Sequence, residues 1–575
     1  MDKRWIRKAN GASRVVEELS LALSVERSLA NLLVQRGVST YATAKAFFRP
    51  QLDDLHDPFL MKDMDSAVLR LEKAVDSGEK ILVYGDYDVD GTTAVAVVYS
   101  FLKAQGVSAS YFIPERYLDG YGVAFRGIDH AVSVGATLVI ALDCGIKAVD
   151  KVTYAKSKGV DFIICDHHLP GADIPNAVAV LDPQRPDCRY PYKELSGCGV
   201  GYKLLQAYCR RRGIPDDTLS PLLDLVAVSI ASDIVPITGE NRVMTYYGLR
   251  RLNTNPRKGL QAIMRRSGLN EHPVGVDDIV FRVGPRLNAA GRMESGKTAV
   301  DLLTAETDQV ADEMSDIIND QNNDRKNVDR SITLESINII NQNPQLQAKK
   351  TIVLYNPEWL KGVVGIVASR LVETFYRPAI VLTESNGMAT GSARSIPGFD
   401  LYQAIELCAD LLANYGGHMY AAGLTMKAEN VEPFINRFEE VANRMISPDM
   451  LIPQVEIDAE IGFAEITPKF YRILKQFQPF GPGNMAPVFL TRRAYGYGNM
   501  RLVGVDSEHI KLDLIQEDTP YRPLPAIAFG QARFFDYIQS GKPIDVCYSI
   551  NENSYRGNVT LQLRIKDIKK SEEAT

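Results

Sequence analysis

Three things are scarce in this sequence: long apolar runs, an excess of basic residues, and cysteine. No apolar run approaches the roughly 20 residues that a helix needs to cross a bilayer, so we expect no membrane-spanning segment. No apolar stretch follows residues 1–5, so we expect no signal peptide. Seven cysteines in 575 residues are typical of reduced thiols in a cytoplasmic protein.

The charge balance excludes a protein coated in basic surface, because the formal net charge is −6. Nucleic-acid binding remains compatible with this value. A local groove can be basic on an acidic protein, and bound divalent cations offset clustered carboxylates. The length of 575 residues exceeds what one core supports and suggests roughly three or four domains. Composition alone therefore leaves the ligand open.

An α/β pattern dominates the first half of the chain after about residue 75; the residues before it are predicted to form helices and loops. Short apolar segments that alternate with predicted helices indicate a parallel, doubly wound sheet with both faces buried. The four predicted strands are 81–84, 138–142, 162–165 and 177–181.

The second half of the chain changes character twice. A long polar segment, residues 308–343, predicts a helix that connects domains. A second α/β unit is predicted from Thr351 to about residue 450. The short alternating segments after Pro453 are typical of a small β-barrel or sandwich.

The strongest local signal is Gly-Asp-Tyr-Asp-Val-Asp-Gly at residues 85–91, directly after a predicted strand. Three carboxylates this close repel one another unless a cation compensates them, which makes an ordinary charged turn the weaker interpretation. An EF-hand does not fit, because the downstream bidentate Glu is missing and the flanking elements are a strand and a helix.

Two further polar groups follow predicted strands: Asp143 alone, and Asp166 with His167 and His168. Ligands of open parallel sheets bind beyond the carboxyl ends of the strands, so these groups should converge. Each acid alone also fits a helix cap. A fourth acid, Asp233, ends a predicted apolar helix, and a lone acid there is usually solvated. Together the groups predict a metal site.

Carboxylates combined with imidazole suit a pair of divalent ions, and imidazole favours Mn²⁺ over Mg²⁺. Two such ions can activate a water molecule and hold a phosphate oxygen during in-line attack. The predicted reaction class is phosphoester hydrolysis.

In their order along the chain, these acidic and histidine groups resemble motifs I to IV of the DHH phosphoesterase family. The resemblance implies two bound Mn²⁺ or Mg²⁺ ions, with Asp143 as the bridging ligand. The implied metal ligands are Asp88, Asp90, Asp143, His167 and Asp233.

The resemblance also implies catalytic roles for His168, beside the scissile phosphate, and for Asp166. One position departs from the pattern, since many members have a histidine where this chain has Tyr84. This departure leaves the first metal less completely held unless Asp86 or water compensates.

The second half carries motifs of the same family. Gly416, Gly417 and His418 resemble the phosphate-contacting motif of the DHHA1 domain, although a lone Gly-Gly-His is also an ordinary turn. Residues 362–370 and 391–395 are similar to segments of the family's bacterial single-strand-specific exonucleases, and so are residues 284–293.

This closer resemblance implies a phosphate-binding set. Arg116, Ser392 and Arg394 would hold a 5′-terminal phosphate, and Arg286 a phosphate nearer the metals, with Asn288 as a further substrate contact. Arginine suits this task because its planar fork makes two charge-assisted hydrogen bonds. For each arginine, a surface or interdomain salt bridge is the alternative.

The resemblance implies an enzyme that degrades single-stranded DNA from the 5′ end in recombination and repair. Its candidate partners are a single-strand-binding protein and a RecQ-type helicase, and a monomer is expected. The implied segments are an N-terminal segment 1–55, a DHH domain 56–307, a connecting helix 308–345, a DHHA1 domain 346–450 and an OB-fold 451–568.

Two alternatives stay open: a DHH phosphodiesterase acting on short oligonucleotides or cyclic dinucleotides, and a non-catalytic DNA-binding scaffold. The β-rich C-terminal region counts against the first, and the intact acidic motifs count against the second.

Overall fold

The structure is a computed structural model that describes residues 2–519, 522–555 and 558–571. Two compact units share the chain: residues 51–451 form one, and residues 1–50 together with 452–575 form the other. Among the described residues, no helix has the length and apolar character needed to cross a membrane.

Eighteen strands lie within the described residues. They are β1 Arg4–Arg7, β2 Lys80–Gly85, β3 Ala109–Phe112, β4 Ala136–Leu142, β5 Asp161–Cys165, β6 Ala179–Leu181, β7 Ile352–Tyr355, β8 Ala379–Ser385, β9 Met388–Arg394, β10 Asn414–His418, β11 Ala421–Met426, β12 Gln454–Ile457, β13 Ala459–Glu460, β14 Phe489–Val503, β15 His509–Ile515, β16 Leu524–Ala528, β17 Ile544–Tyr555 and β18 Asn558–Lys570.

The α-helices of the same residues are α1 Ser13–Leu23, α2 Arg27–Gln35, α3 Tyr41–Phe48, α4 Met64–Asp76, α5 Val89–Ala104, α6 Phe125–Ser133, α7 Val149–Ser157, α8 Gly197–Arg212, α9 Leu223–Ser232, α10 Gly239–Thr254, α11 Lys258–Arg266, α12 Val276–Asp278, α13 Gly284–Met293, α14 Lys297–Leu303, α15 Asp308–Gln342, α16 Pro344–Ala348, α17 Val364–Phe375, α18 Leu401–Glu406, α19 Val431–Met445, α20 Pro468–Lys475 and α21 Phe535–Gln539.

A five-stranded parallel sheet organises the first part of the 51–451 unit, with strand order β3-β2-β4-β5-β6. This confirms the predicted parallel sheet. The central strands are apolar because helices cover both faces, and Leu82, Ile140 and Ile164 have no exposed surface. Strand β3 was not predicted, because its four half-buried residues lie at the sheet edge and form no apolar run.

The second sheet of this unit is mixed, with the order β10-β11-β9-β8-β7. Only β7 and β8 are parallel, and the other neighbouring strands are antiparallel. Helix α15 connects the two sheets and packs against α13 and, further along, α17. Its buried stripe is polar: Asp329 has no exposed surface and pairs with Arg325 at 3.2 Å and Arg370 at 2.7 Å. This pairing explains how so polar a helix is packed.

The other unit contains a closed barrel. Its strand order is β13-β14-β15-β16-β18-β17, and β14 also pairs with β17, which closes the sheet. The predicted C-terminal β-barrel is confirmed. Strand β17 was missing from the predicted strands because its second half is polar. It forms a long antiparallel hairpin with β18.

The prediction of helices and loops for the N-terminal region is wrong at Arg4–Arg7. These residues form β1, which pairs in parallel with β12, and the Trp5 indole N–H donates to the Asp567 carboxylate at 2.7 Å. A four-residue strand with charged ends has no local signature when its partner lies about 450 residues away in sequence.

Candidate metal centre and active site

The acidic loop at residues 85–91 connects buried β2 to α5. Asp88 caps α5, because its side chain accepts the Gly91 N–H at 3.0 Å. Gly91 is required at this position, since a Cβ there would lie 2.6 Å from the Asp86 nitrogen. The Asp88 cap and the contact between Gly91 and Asp86 hold the acidic loop at the carboxyl end of β2.

Asp90 is anchored on the start of α8. Its carboxylate accepts the N–H groups of Gly197 at 2.6 Å and Cys198 at 2.8 Å, and the Ser229 hydroxyl at 2.6 Å. The side chain is 1% exposed. Asp90 is therefore held in place by three hydrogen bonds at the carboxyl ends of the strands.

Asp143 follows β4 in a left-handed backbone conformation, with φ of 57°. Such a conformation in a non-glycine residue is uncommon and concentrates at functional sites. The Asp143 N–H donates to the Cys165 carbonyl at 2.9 Å. Gly197 faces it so closely that a Cβ on Gly197 would lie 2.6 Å from the Asp143 Cβ. Among the described residues, buried Asp143 Oδ1 has no hydrogen-bond partner.

His167 lies at the centre of the cluster. Its Nε2 atom is 3.2 Å from Asp143 Oδ1, 3.7 Å from Asp90 Oδ2 and 3.7 Å from Asp233 Oδ2. Two groups of potential ligands result, in each of which the ligand atoms lie within 4.8 Å of one another. They are Asp143, His167 and His168, and Asp90, His167 and Asp233.

The electrostatics of the cluster fit a bound cation. Burial raises the pKa of Asp90, Asp143 and Asp233, and the charge of Asp88 raises each of them further. Burial lowers the pKa of His167, which favours the neutral, ligating imidazole. A divalent ion would compensate the carboxylates and give the unpartnered Asp143 Oδ1 a ligand role. The mixed carboxylate and imidazole donors fit Mn²⁺ or Mg²⁺.

Asp166 differs from Asp143, because both of its oxygens already accept hydrogen bonds. They accept the N–H groups of Ile146 at 2.9 Å and His167 at 2.8 Å, and the His168 ring at 2.7 Å. Burial lowers the pKa of His168, but the hydrogen bond and charge of Asp166 outweigh it and raise that pKa to about 9. Asp166 therefore holds His168, while Tyr121 places its hydroxyl 3.0 Å from His168 Nε2.

Tyr84 lies beneath this crevice and contacts the backbone of the loop before α6. Its hydroxyl donates to the Gly122 carbonyl at 2.9 Å and accepts the Ala124 N–H at 3.1 Å. The ring stacks on Phe112 and is 1% exposed. Tyr84 thus secures the loop that carries Tyr121.

We expect Tyr84→Phe to lower the free energy of unfolding by about 1–3 kcal/mol, because it leaves a buried carbonyl and N–H unpaired. Urea denaturation measures this change. Tyr154→Phe is the control, since the Tyr154 hydroxyl bonds Asp129 at the surface, and it should cost less than about 1 kcal/mol. Both variants should keep their metal stoichiometry; a lost ion in Tyr84→Phe would instead indicate a role in the metal centre.

A cationic pocket forms where β9 meets the start of α17. A Cβ on Gly365, in the first turn of α17, would lie 3.1 Å from Arg394 Nη2 and 3.2 Å from Ser392 Oγ. Arg394 donates to the Ala393 carbonyl at 2.8 Å, and burial lowers its pKa. The structure therefore brings Ser392 and Arg394 together beside a helix N-terminus, an arrangement suited to an anion.

Arg116 reaches the same region from the other sheet. Its guanidinium carbon lies 4.0 Å from the centroid of the Tyr87 ring, and its Nε donates to the Gly291 carbonyl at 3.1 Å. Arg292 belongs to the family-like segment 284–293 and had no role predicted from sequence, yet it lies among these cations. Burial, with the charges of Arg116, Arg325 and Arg394, lowers the pKa of Arg292 to about 10.

The hairpin of β10 and β11 aligns His418 with this pocket. In the sheet register, His418 pairs with Ala421, which pairs with Arg394. Burial lowers the pKa of His418, and the charges of Arg394 and His168 add to the effect. His418 therefore lies within electrostatic reach of both the cationic pocket and the metal centre.

Gly416 and Gly417 precede His418 in the edge strand. Gly416 pairs with Gly423, which pairs with Ser392. Gly417 has φ of 148°, and a Cβ on it would lie 2.9 Å from the Ala422 Cβ. Gly417 therefore allows a close approach of the backbone beside the cationic pocket, whereas a Cβ on Gly416 would meet no neighbouring atom.

Arg286 and Asn288 both lie on α13, at different positions relative to the site. The Asn288 side-chain oxygen accepts the Val89 N–H at 3.2 Å, so it supports the backbone between two acids of the metal centre. Arg286 donates to the carbonyls of Arg282 at 2.8 Å and Arg266 at 3.3 Å, and to Asn319 on α15. Its phosphate-binding role stays a prediction.

Three family models match this chain. They are the DHH family N-terminal domain at residues 80–230, the DHHA1 domain at 348–444 and the RecJ OB domain at 457–567. This combination defines a DHH-type protein that carries a DHHA1 domain and an OB domain.

A single-stranded-DNA-specific exonuclease RecJ from Bacillus subtilis is 37% identical over 562 residues, covering 97% of this chain and 70% of the relative. The crystal structure of RecJ with Mn²⁺ from Thermus thermophilus has a TM-score of 0.82 at 27% identity and covers 99% of this chain and 80% of that one. The Mg²⁺ complex gives 0.78 at 26% identity, with 99% and 79% covered. This chain belongs to the RecJ family.

Proposed function

We propose that the chain is a metal-dependent exonuclease that hydrolyses single-stranded DNA from the 5′ end. The observation that carries this proposal is the pairing of two features in one unit. A cluster of buried acids and histidines faces the strand ends, and a cationic pocket built from Ser392 and Arg394 lies in the adjoining sheet. The first suits phosphodiester cleavage, and the second suits a terminal phosphate.

Asp88, Asp90, Asp143, His167 and Asp233 would hold two Mn²⁺ or Mg²⁺ ions. Bound there, such ions lower the pKa of water and neutralise charge on a phosphate. Asp166 orients the His168 ring through a 2.7 Å contact with Nδ1 and favours its protonated form, so that Nε2 could donate a hydrogen bond to a phosphate oxygen. The rigid anchoring of Asp90 and Asp143 keeps the acids in place while substrate binds.

End selection would come from Ser392, Arg394 and Arg116. A 5′-terminal phosphate carries up to two negative charges, whereas an internal phosphodiester carries one. A pocket with two partly buried arginines therefore favours a strand end over an internal position. Gly416, Gly417 and His418 would contribute backbone N–H groups and an imidazole on the same side.

Residues 56–307, 346–450 and 451–568 would act as DHH, DHHA1 and OB domains, with 308–345 connecting the first two. We place the enzyme in DNA recombination and repair in the cytoplasm, as a monomer working with a single-strand-binding protein and a RecQ-type helicase. The family resemblance supports these partners.

The direct test incubates the protein and Mn²⁺ with single-stranded DNA labelled at the 3′ end, with or without a 5′ phosphate, beside a duplex and a dinucleotide. We expect the single strand alone to shorten progressively from its 5′ end. Cleavage of only the dinucleotide would replace the proposal with a small-nucleotide phosphodiesterase, and binding without cleavage would point to a scaffold.

A further inference from the structure

A cavity adjoins His168, and of its lining residues the function proposed above uses only Asp166 and His168. Its volume is about 210 Å³, and its walls come from the loop before α6 and from the segment between β4 and α7. The lining residues include Tyr121, Val123, Ile146, Ala148, Asp166 and His168.

The inner wall of this cavity is apolar. Val123, Ile146 and Ala148 are buried, at 7%, 2% and 9% exposure. Tyr121 is 57% exposed and places its hydroxyl beside the His168 ring. The cavity therefore opens next to His168, which the proposed function places beside the reacting phosphate, and a group attached to that phosphate would reach it.

The lining of the cavity favours a base over a phosphate as its occupant. A phosphate inside would face the apolar side chains of Val123, Ile146 and Ala148, which offer it no hydrogen bond. Lys147 and Lys151 also line it, and Lys147 is exposed whereas Lys151 pairs with Asp150 at 2.8 Å. A planar apolar group inside would pack on the apolar wall, and its attached phosphate would lie near the exposed Lys147.

We propose that this cavity is a nucleobase subsite, which receives one base of the substrate strand next to the scissile phosphate while Lys147 contacts the adjoining backbone phosphate. The inference rests on the proposed function and adds a base contact to it. Apolar and aromatic walls accept any base because every base has a π-face, so the subsite sets strand position without reading sequence.

The test is an abasic scan. Single strands carrying one abasic residue at each of the first four positions from the 5′ end are compared with the intact strand. We expect wild-type kcat/KM to fall about tenfold at one position. Ala148→Leu, which fills the cavity, should lower kcat/KM on the intact strand by about the same factor and should remove the abasic penalty at that position only.

Penalties that stay unchanged in Ala148→Leu, or a flat wild-type profile on strands that are still shortened, would overturn the subsite and leave the exonuclease proposal standing. No shortening of any strand would overturn both. The wild-type scan needs no variant, so it decides even if Ala148→Leu folds poorly, which its melting temperature reports.

Lys147→Glu gives an independent readout at an exposed position. It should raise KM for the intact strand about three- to tenfold and reduce the salt dependence of KM, because a phosphate contact is replaced by repulsion. Lys156→Glu makes the same charge change on exposed α7 surface outside the cavity lining, and its KM should stay within about twofold. Equal effects of the two variants would overturn the Lys147 contact.

Discussion

Asp143→Asn should lower kcat on single-stranded DNA by at least about 1,000-fold, because the metal centre supplies several kcal/mol of transition-state stabilisation and each 1.36 kcal/mol is a factor of ten. Asn tolerates the left-handed backbone that Asp143 adopts, so the loop should keep its conformation. Single-turnover cleavage of a 3′-labelled strand measures the change. Full turnover in this variant would contradict the assignment of Asp143 to the metal centre.

The same variant should be more stable than the wild type when no metal is bound. In metal-free protein, Asp143→Asn removes a buried negative charge from a repelling cluster, so the melting temperature should rise. Added Mn²⁺ should stabilise the wild type, by about 2.7 kcal/mol at a hundred times Kd, and should stabilise the variant much less. A metal ligand should show both results: a higher melting temperature without metal and a smaller stabilisation by Mn²⁺. Replacing an acid with a purely structural role should not weaken the stabilisation by Mn²⁺.

Asp182 provides the matched control. It follows β6 at the same edge of the sheet, has no exposed surface, and its Oδ2 atom lacks a hydrogen-bond partner within the described part of the chain. Burial raises its pKa to about 7, but it belongs to neither group of potential ligands. Asp182→Asn should leave the Mn²⁺ response unchanged and kcat within about threefold.

The sheet and the acids at its strand ends could be predicted because both follow from local pattern. Apolar strands buried on two faces are readable from sequence, and parallel strands bring their carboxyl ends together. Asp143 and His167 are therefore close in space, as their positions after β4 and β5 implied. The position of Asp233 depends on tertiary packing as well, because α9 has to pack beside α5 before the acid at its C-terminal end reaches His167.

The hydrogen-bond partners of these side chains could not be predicted from the local sequence pattern. Asp166 and Asp143 both follow strands, yet the first has its oxygens filled by N–H groups and the His168 ring, while the second keeps a bare Oδ1. Tyr84 stands where many family members have a histidine, but it bonds the backbone of a distant loop. The bond from Ile146 to Asp166 and the bonds of Tyr84 depend on backbone groups 20 to 40 residues away in the chain.

Arg394→Met should lower the preference for a 5′-phosphorylated strand over a 5′-hydroxyl strand. The ratio of the two kcat/KM values should fall about 10- to 100-fold. The estimate follows from charge-assisted hydrogen bonds, which contribute about 1.5–3 kcal/mol each. The change should appear mainly as a raised KM for the phosphorylated strand, because the metal centre is untouched. Competition between two differently labelled strands measures the ratio directly.

Two further variants make this result specific to the pocket. Gly365→Ala places a methyl group 3.1 Å from Arg394 Nη2, so it should weaken the same preference, but less than Arg394→Met does. Arg370→Met removes an arginine of the same helix, α17, that pairs with buried Asp329. Because leaving Asp329 short of a partner costs stability, this variant should melt earlier while keeping the 5′-phosphate preference. An unchanged ratio in Arg394→Met would move the end-binding site away from β9, because Ser392, the other β9 side chain assigned to that site, carries no charge.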